Sequence, residues 1–337
     1  MLGDDTLLSE QEPVAGEGGV GQSVSRLGRA PWARRYTLVY AWVAMIIVYG
    51  AIDPSHFLTA INFEVIFSTA APLLILCLGL LPSLAAGEID LSIAGTFGLS
   101  GVLTAVLNVN LGMPIGVSIL AALALGVLVG GVNALLIVKL DVGSLVVTLG
   151  MSSLLAGVAL GITTLPISGV SNALVTAAGL RLAGLQLVFF YAVLVTLALV
   201  YVERFTPLGR YLFFVGASRE VSRLSGIPVQ GLRAGTLIAG ALAASLAGVL
   251  LVGTQGSADP TVGPTYLLPV FAGAFLGSTA ITPGRFNALG TFVAIFFLQT
   301  GTQGLELLGQ SGWVDQAFYG VALVVAVALP QLLKRRS

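Results

Sequence analysis

The stretch "PLLILCLGLLPSLAAGEIDLSIAGTFGLSGVLTAVL", residues 72–107, decides the fold. Two long apolar runs flank "AGEIDLSIAG", Ala86–Gly95. A helix that crosses a bilayer needs about 20 mostly apolar residues, and each run approaches that length. Glu88 and Asp90 stand between them. Carboxylates are costly in hydrocarbon. The two runs therefore read as separate spans joined by a polar turn.

The rest of the chain agrees. Of its 337 residues, 56% are hydrophobic and 9% are charged. Mean hydropathy is +1.00. A soluble domain carries about 25% charged residues, so this chain lacks the polar surface to cover a water-soluble globule. The fold class is all-α: a polytopic membrane protein in contact with lipid. Formal net charge is zero, so bulk charge points to no nucleic-acid partner.

Ten candidate spans follow from the apolar runs: 36–52, 63–84, 91–107, 114–138, 142–162, 185–202, 233–252, 265–278, 287–304 and 315–333. The eighth is short and reads as a tilted, broken or re-entrant helix. Charges arbitrate the topology. With both termini cytoplasmic, ten crossings put every Lys and Arg inside except Arg181. These are Arg26, Arg29, Arg34, Arg35, Lys139, Arg204, Arg210, Arg219, Arg223, Arg233, Arg285, Lys334, Arg335 and Arg336. Such a bias is what the positive-inside rule expects. Residues 1–35 read as a disordered cytoplasmic tail without a signal peptide. Residues 36–333 form the transmembrane domain, and 334–337 a basic tail.

"GVLVG" at 126–130, "GVALG" at 157–161 and "GAFLG" at 273–277 set small residues four apart, a spacing that lets helices approach closely. No internal repeat is visible. Cys77, the single cysteine, reads as a small buried hydrophobe. His56 reads as a loop residue near the interface. Intramembrane ionisable groups are nearly absent, which argues against a proton-driven carrier. No phosphate loop of the GxxxxGK[ST] type, metal-ligand spacing or nucleophile elbow occurs. The chain does not read as an enzyme, and any ATP would be used by another subunit. Ser68, Thr69, Ser100, Thr104, Asn133, Thr148, Ser152, Gln299 and Thr300 either line a polar pathway or hydrogen-bond between helices.

The longest polar stretch is "ERFTPLGRYLFFVGASREVSRLSGIPVQGLR", 203–233. Within it "ASREVSRLSG" reads as a short helix. Ser218 suits its N-cap and Gly226 a left-handed end. Val221 and Leu224 share one face, with Arg219, Glu220 and Arg223 as polar neighbours. The stretch is either a solvated basic loop that fixes topology or a docking helix for a cytoplasmic partner.

These residues resemble a known family. "TPLGRYLFFVGASREVSRLSGIPV" is similar to the cytoplasmic loop of permease subunits of ribose-type ABC sugar importers. "GEIDLSIAG" resembles that family's "GGIDLSVGS", and "FLGSTAITPGRFNALGTFVAIFFLQTGTQGLELLG" its C-terminal region. The resemblance runs from about residue 60 to the end. It implies a bacterial inner-membrane permease for a monosaccharide or similar polar solute. It implies an ATPase subunit, an extracytoplasmic solute-binding protein, and a second permease copy or a related chain. On the cytoplasmic loop, it assigns ATPase coupling to Gly209, Arg210, Gly216, Arg223, Leu224, Ser225 and Gly226. Ser218, Arg219 and Glu220 complete the short helix. It assigns Gly87, Asp90, Leu91 and Ser92 to a signature turn. Glu88 replaces the family's second glycine there, and Arg219 stands where the docking helix has glutamate. Arg285 is kept in a shortened "ITPGR" turn. Asp90 reads as a helix cap, or as a partner of Arg285 tying two turns together. The other functional readings are an ion-coupled secondary carrier and a membrane scaffold without transport.

Overall fold

A computed structural model describes residues 35–310 and 312–334. The acidic tail with Arg26, Arg29 and Arg34, and the basic end with Arg335 and Arg336, lie outside the described residues.

Each of the ten apolar segments is a helix. They are α1 (Thr37–Ile52), α3 (Ala60–Ala85), α4 (Ser92–Ala105), α5 (Ile115–Ala134), α6 (Ser144–Ile162), α8 (Leu187–Phe205), α11 (Val229–Gln255), α12 (Val262–Gly277), α13 (Ala288–Leu307) and α14 (Trp313–Lys334). Between them run four shorter helices: α2 (Pro54–Phe57), α7 (Asn172–Gly179), α9 (Pro207–Ala217) and α10 (Arg219–Leu224). Single π-helical stretches, Val106–Asn110 and Leu135–Lys139, extend α4 and α5. Among the described residues, seven of these helices are long and apolar enough to cross a membrane, and α1, α12 and the part Trp313–Ala328 of α14 are shorter apolar stretches.

Helix α3 is the central post. It is apolar on every side, the pattern of a helix buried all round, and Ala70–Leu81 are buried without a break. Helices α8, α11, α12 and α13 pack around it. Helices α5 and α6 and the outer face of α8 expose Leu120, Val146, Leu149, Leu194 and Leu197, a surface suited to lipid. Cys77 is buried as expected, and its thiol donates to the Val270 carbonyl at 3.2 Å. Two of the three small-residue motifs mediate packing. Gly130 sits so close to α11 that an added Cβ would fall 2.6 Å from Ile238 Cα. Gly277 meets Thr291 equally closely. Gly157 and Gly161 instead face open space.

The two ends of the bundle differ. One end carries α7 and two tiny antiparallel pairs, β1 (Ile167–Ser168) with β4 (Ser257–Ala258) and β2 (Arg181–Leu182) with β3 (Leu185–Gln186). Arg181 pairs there with Glu64 at 2.9 Å. His56 lies at this end too, exposed and paired with Asp53 at 2.9 Å. The other end carries the turn 86–91, helices α9 and α10, and the turn 278–287. Arg35, Lys139, Arg204, Arg210, Arg219, Arg223, Arg233 and Arg285 gather at this second end. The basic side chains thus segregate along the bundle axis as the charge pattern anticipates.

Candidate functional site

The loop between α8 and α11 is shorter and more ordered than its sequence suggests. Glu203–Phe205 still belong to α8, and Arg233 lies in the second turn of α11. What remains holds two helices, where the sequence reading finds one. Helix α9 was legible: Pro207 sits at its first turn, where Pro costs nothing, and Leu208, Leu212 and Val215 recur at helical spacing. Leu212 and Val215 are buried against Ala86 of the turn between α3 and α4. Gly216 lies against the Ala85 carbonyl, with no room for a side chain. Gly209 makes the α8–α9 corner tight: a Cβ there would lie 2.5 Å from the Glu203 carbonyl oxygen.

Helix α10 forms where the sequence places it. The Ser218 hydroxyl accepts from the Val221 amide at 3.4 Å. Gly226 follows with φ +80°, the left-handed stop. Ser225 returns its hydroxyl to the Val221 carbonyl at 2.9 Å. Val221 and Leu224 are 62% and 78% exposed. Arg210, Glu220 and Arg223 are exposed beside them. The helix therefore presents an apolar ridge with a charged border, and Ser222 is its inward contact.

The turn 86–91 is the meeting point. Gly87 has φ +78°, which lets the chain reverse after α3. Glu88 is 1% exposed and takes two arginines. Arg219 of α10 reaches its Oε1 at 2.8 Å, and Arg233 of α11 contacts the same oxygen through Nε. Arg219 also donates to the Gly87 carbonyl at 3.1 Å. A buried carboxylate needs such partners, because desolvation of an unpaired charge costs several kcal/mol. Glu88 and Arg219 are both positions where the chain departs from the signature turn and the docking helix it resembles. They touch each other, so the two departures form one substitution of a salt bridge.

Asp90 is likewise buried, with a different role. Its Oδ1 accepts from the Ser92 amide at 3.0 Å and from the Ser92 hydroxyl at 2.6 Å. Asn133 of α5 donates to that hydroxyl at 2.7 Å. Thr148 of α6 donates to the Ile89 carbonyl at 3.1 Å. Leu91 packs on the main core. The cap reading of Asp90 holds, and the pairing with Arg285 does not. Arg285 instead lies over the Phe213 ring of α9, 3.7 Å from its centroid. Ser92 lies nearer in sequence and takes Oδ1, while Oδ2 is left without a partner among the described residues and Arg285 gains a cation–π contact.

Burial pushes the Asp90 carboxyl up to about 6 against the pull of the Ser92 and Ile93 donors. A group raised in the folded state holds extra protons there. Its contribution to stability is fullest below its ordinary value and falls as pH rises toward about 6. Asp90→Asn keeps an acceptor for Ser92 and removes the buried charge. At neutral pH its unfolding temperature should exceed the parent's, equivalent to at most about 3 kcal/mol. The gap should close in acid. A gap independent of pH would mean that Asp90 is not the titrating group.

Between these parts lies a cavity of about 740 Å³, open at the basic end. It is walled by Leu81 and Ala85 of α3, Phe213 and Gly216 of α9, Thr236 of α11 and Arg285 of the last turn. Glu203 stands in the wall and accepts the Ala288 amide, opening α13, at 3.1 Å through each oxygen. Its part, and that of Arg233, went unread in the sequence. A long gap in sequence separates each from its partner.

Of the polar pathway candidates, Ser100, Thr104, Asn133, Thr148 and Thr300 hydrogen-bond within the bundle. Thr69 and Gln299 line a second cavity at the other end.

Among known proteins, the chain is 31% identical over 313 residues to the autoinducer 2 import system permease protein LsrD of Salmonella paratyphi A. The alignment covers 88% of this chain and 92% of that one. It is 32% identical over 297 residues to LsrD of Escherichia coli O9:H4, covering 85% and 88%. No solved structure matches. The family described as branched-chain amino acid transport system / permease component matches residues 62–327. That span takes in the central post, the turn 86–91, both loop helices and most of α14, so this multi-pass, non-catalytic membrane protein belongs to that permease family.

Proposed function

We propose that the chain is the translocating subunit of an ATP-driven importer that brings a monosaccharide or sugar-like polar solute into the cytoplasm. A separate ATPase subunit docks on α10 from the cytoplasm, and an extracytoplasmic binding protein delivers the solute to the other end. Two such permeases, identical or related, form the assembly. Both termini are cytoplasmic, which makes all ten long helices spans. The relatives' names say import of autoinducer 2, which makes that compound the first solute to try.

The observation that carries the reading is the Glu88 clasp. It ties α10, with its exposed Val221 and Leu224, to the turn that ends α3 and starts α4. Both helices border the core, and α3 also walls the inner cavity. A push on α10 is thus transmitted through Arg219 to Glu88, and through Gly216 to Ala85. The inner end of α3 then moves relative to α9, which opens or shuts the cavity. Arg233 carries the same motion into α11. Coupling of this kind needs an element both sites can bias, and the turn 86–91 is that element.

Reconstitution tests it. Permease, ATPase subunit and loaded binding protein in proteoliposomes should show solute-stimulated ATP hydrolysis and ATP-dependent uptake. Gly226→Val should keep basal hydrolysis and reduce uptake, because a β-branched residue opposes φ +80° and unravels the end of α10. Uptake driven by an ion gradient without ATP would overturn the proposal in favour of a secondary carrier.

A further inference from the structure

A second cavity, about 390 Å³, lies at the end of the bundle opposite the clasp. From Thr69, in its wall, to Pro82, in the wall of the inner cavity, α3 rises about 20 Å. The post between them is buried on every side, from Leu74 to Leu81. The two cavities are therefore separate compartments.

The walls of the outer cavity are unlike those of the inner one. Thr69, Gln299, Thr302, Glu306, Asp315 and Tyr319 converge on it from α3, α13 and α14. Hydroxyls, an amide, carboxylates and a phenol in one chamber are uncommon in so apolar a bundle. Polar side chains in membrane helices are expensive and are kept where they serve a solute or a partner. Glu306 and Asp315 both stand in its wall. Their carboxyl groups supply acceptors to the chamber. Asp315 Oδ1 is shut off from solvent and has no partner among the described residues. It is an acceptor waiting for a donor. Gly312 and Gln316 at the mouth are exposed, so the chamber has an entrance.

We propose that this outer cavity is a binding site for a neutral polyhydroxylated solute. Its volume falls within the roughly 300–1,000 Å³ of small-molecule sites. Vicinal hydroxyls of a sugar both donate and accept. They match Asp315 Oδ1 on one side, and Gln299 with Thr69 on the other. An anion is disfavoured, because the carboxyl pair faces it and no Lys or Arg lines the cavity. The carboxylate of an amino acid meets the same exclusion. The inference deepens the importer reading by giving its solute an entry site, and it rests on that reading only for the direction of travel.

The experiment uses the full chain in lipid nanodiscs. Gln316→Cys at the mouth serves as reporter, and its rate of modification by a thiol-reactive maleimide is measured. D-Ribose and autoinducer 2 are the neutral polyhydroxylated probes; L-leucine and putrescine are the zwitterionic and cationic ones. Ribose or autoinducer 2 should slow labelling in a saturable way, and the other two should not. Gln299→Ala or Asp315→Asn in the reporter background should weaken that protection about tenfold, the worth of one good hydrogen bond. No protection by either polyhydroxylated probe overturns the site. So does equal protection by leucine or putrescine, or protection indifferent to both variants. ATP-dependent uptake that survives such a result leaves the importer standing. Lost importer function with intact protection would sink the importer and keep the site.

Discussion

Glu88→Gln should produce a folded but weakened permease that no longer couples ATP hydrolysis to uptake. Arg233 is 7% exposed and has Glu88 as its counter-charge. Removing one member of a buried pair leaves the other unpaired, at a cost of about 3–5 kcal/mol. Arg219 differs, since its side chain is 45% exposed. Water screens that contact, so Arg219→Ala should cost stability only about 0–1 kcal/mol. It still cuts α10 from the turn. The two variants therefore separate stability from coupling. Uptake per ATP should drop in both by roughly 5- to 150-fold, the usual reach of coupling between sites. Unfolding temperature should drop chiefly in Glu88→Gln. The double variant Glu88→Gly with Arg219→Glu offers Arg233 a carboxylate from the opposite side, and should recover part of both. Unchanged uptake per ATP in Arg219→Ala would reduce the clasp to a structural contact.

Gly216→Ala is expected to uncouple nearly as strongly, by crowding. The new methyl would land on the Ala85 carbonyl oxygen, part of the backbone at the end of α3. No side-chain rotation relieves that overlap. Either α9 lifts off the turn or α3 shifts inward, and overpacking of this kind costs about 1–3 kcal/mol. Leu212 and Val215 then lose their seat on Ala86. Gly226→Ala makes the informative contrast. Its surroundings are open, so only the backbone objects, by about 1–2 kcal/mol for a left-handed residue. Uptake in proteoliposomes should fall more in Gly216→Ala, with ATPase binding retained in both. Equal uptake in Gly216→Ala and the parent would show that α9 does not carry the motion.

Much of this design was legible without coordinates, and the reasons are local. Helices in lipid must satisfy their own backbone, so apolar length marks them in the sequence. All ten segments are helices, within a few residues at each end. Ser218 and Gly226 announced α10 because capping depends on residues three or four apart. Asp90 as a cap was visible for the same reason, two residues from Ser92. Helix α9 is absent from the sequence reading, although Pro207, Leu212 and Val215 carry a local signal for it.

What stayed hidden depends on distance. Glu88 meets arginines 131 and 145 residues away. Nothing in the local pattern says which of several inside arginines it will take. Pairing with Arg285 is one of two readings the sequence offers for Asp90, yet the Phe213 ring holds that arginine, a choice made by how α9 lies against the last turn. The outer cavity gathers Thr69, Gln299 and Asp315 from three helices, each of which alone reads as a bundle hydrogen bonder. Composition, apolar length and charge bias thus determined class, helices and the basic end, because bilayer insertion acts on each segment separately. Tertiary packing alone decided the clasp and the two cavities, because partners far apart in sequence are chosen by which surfaces the packed helices bring together.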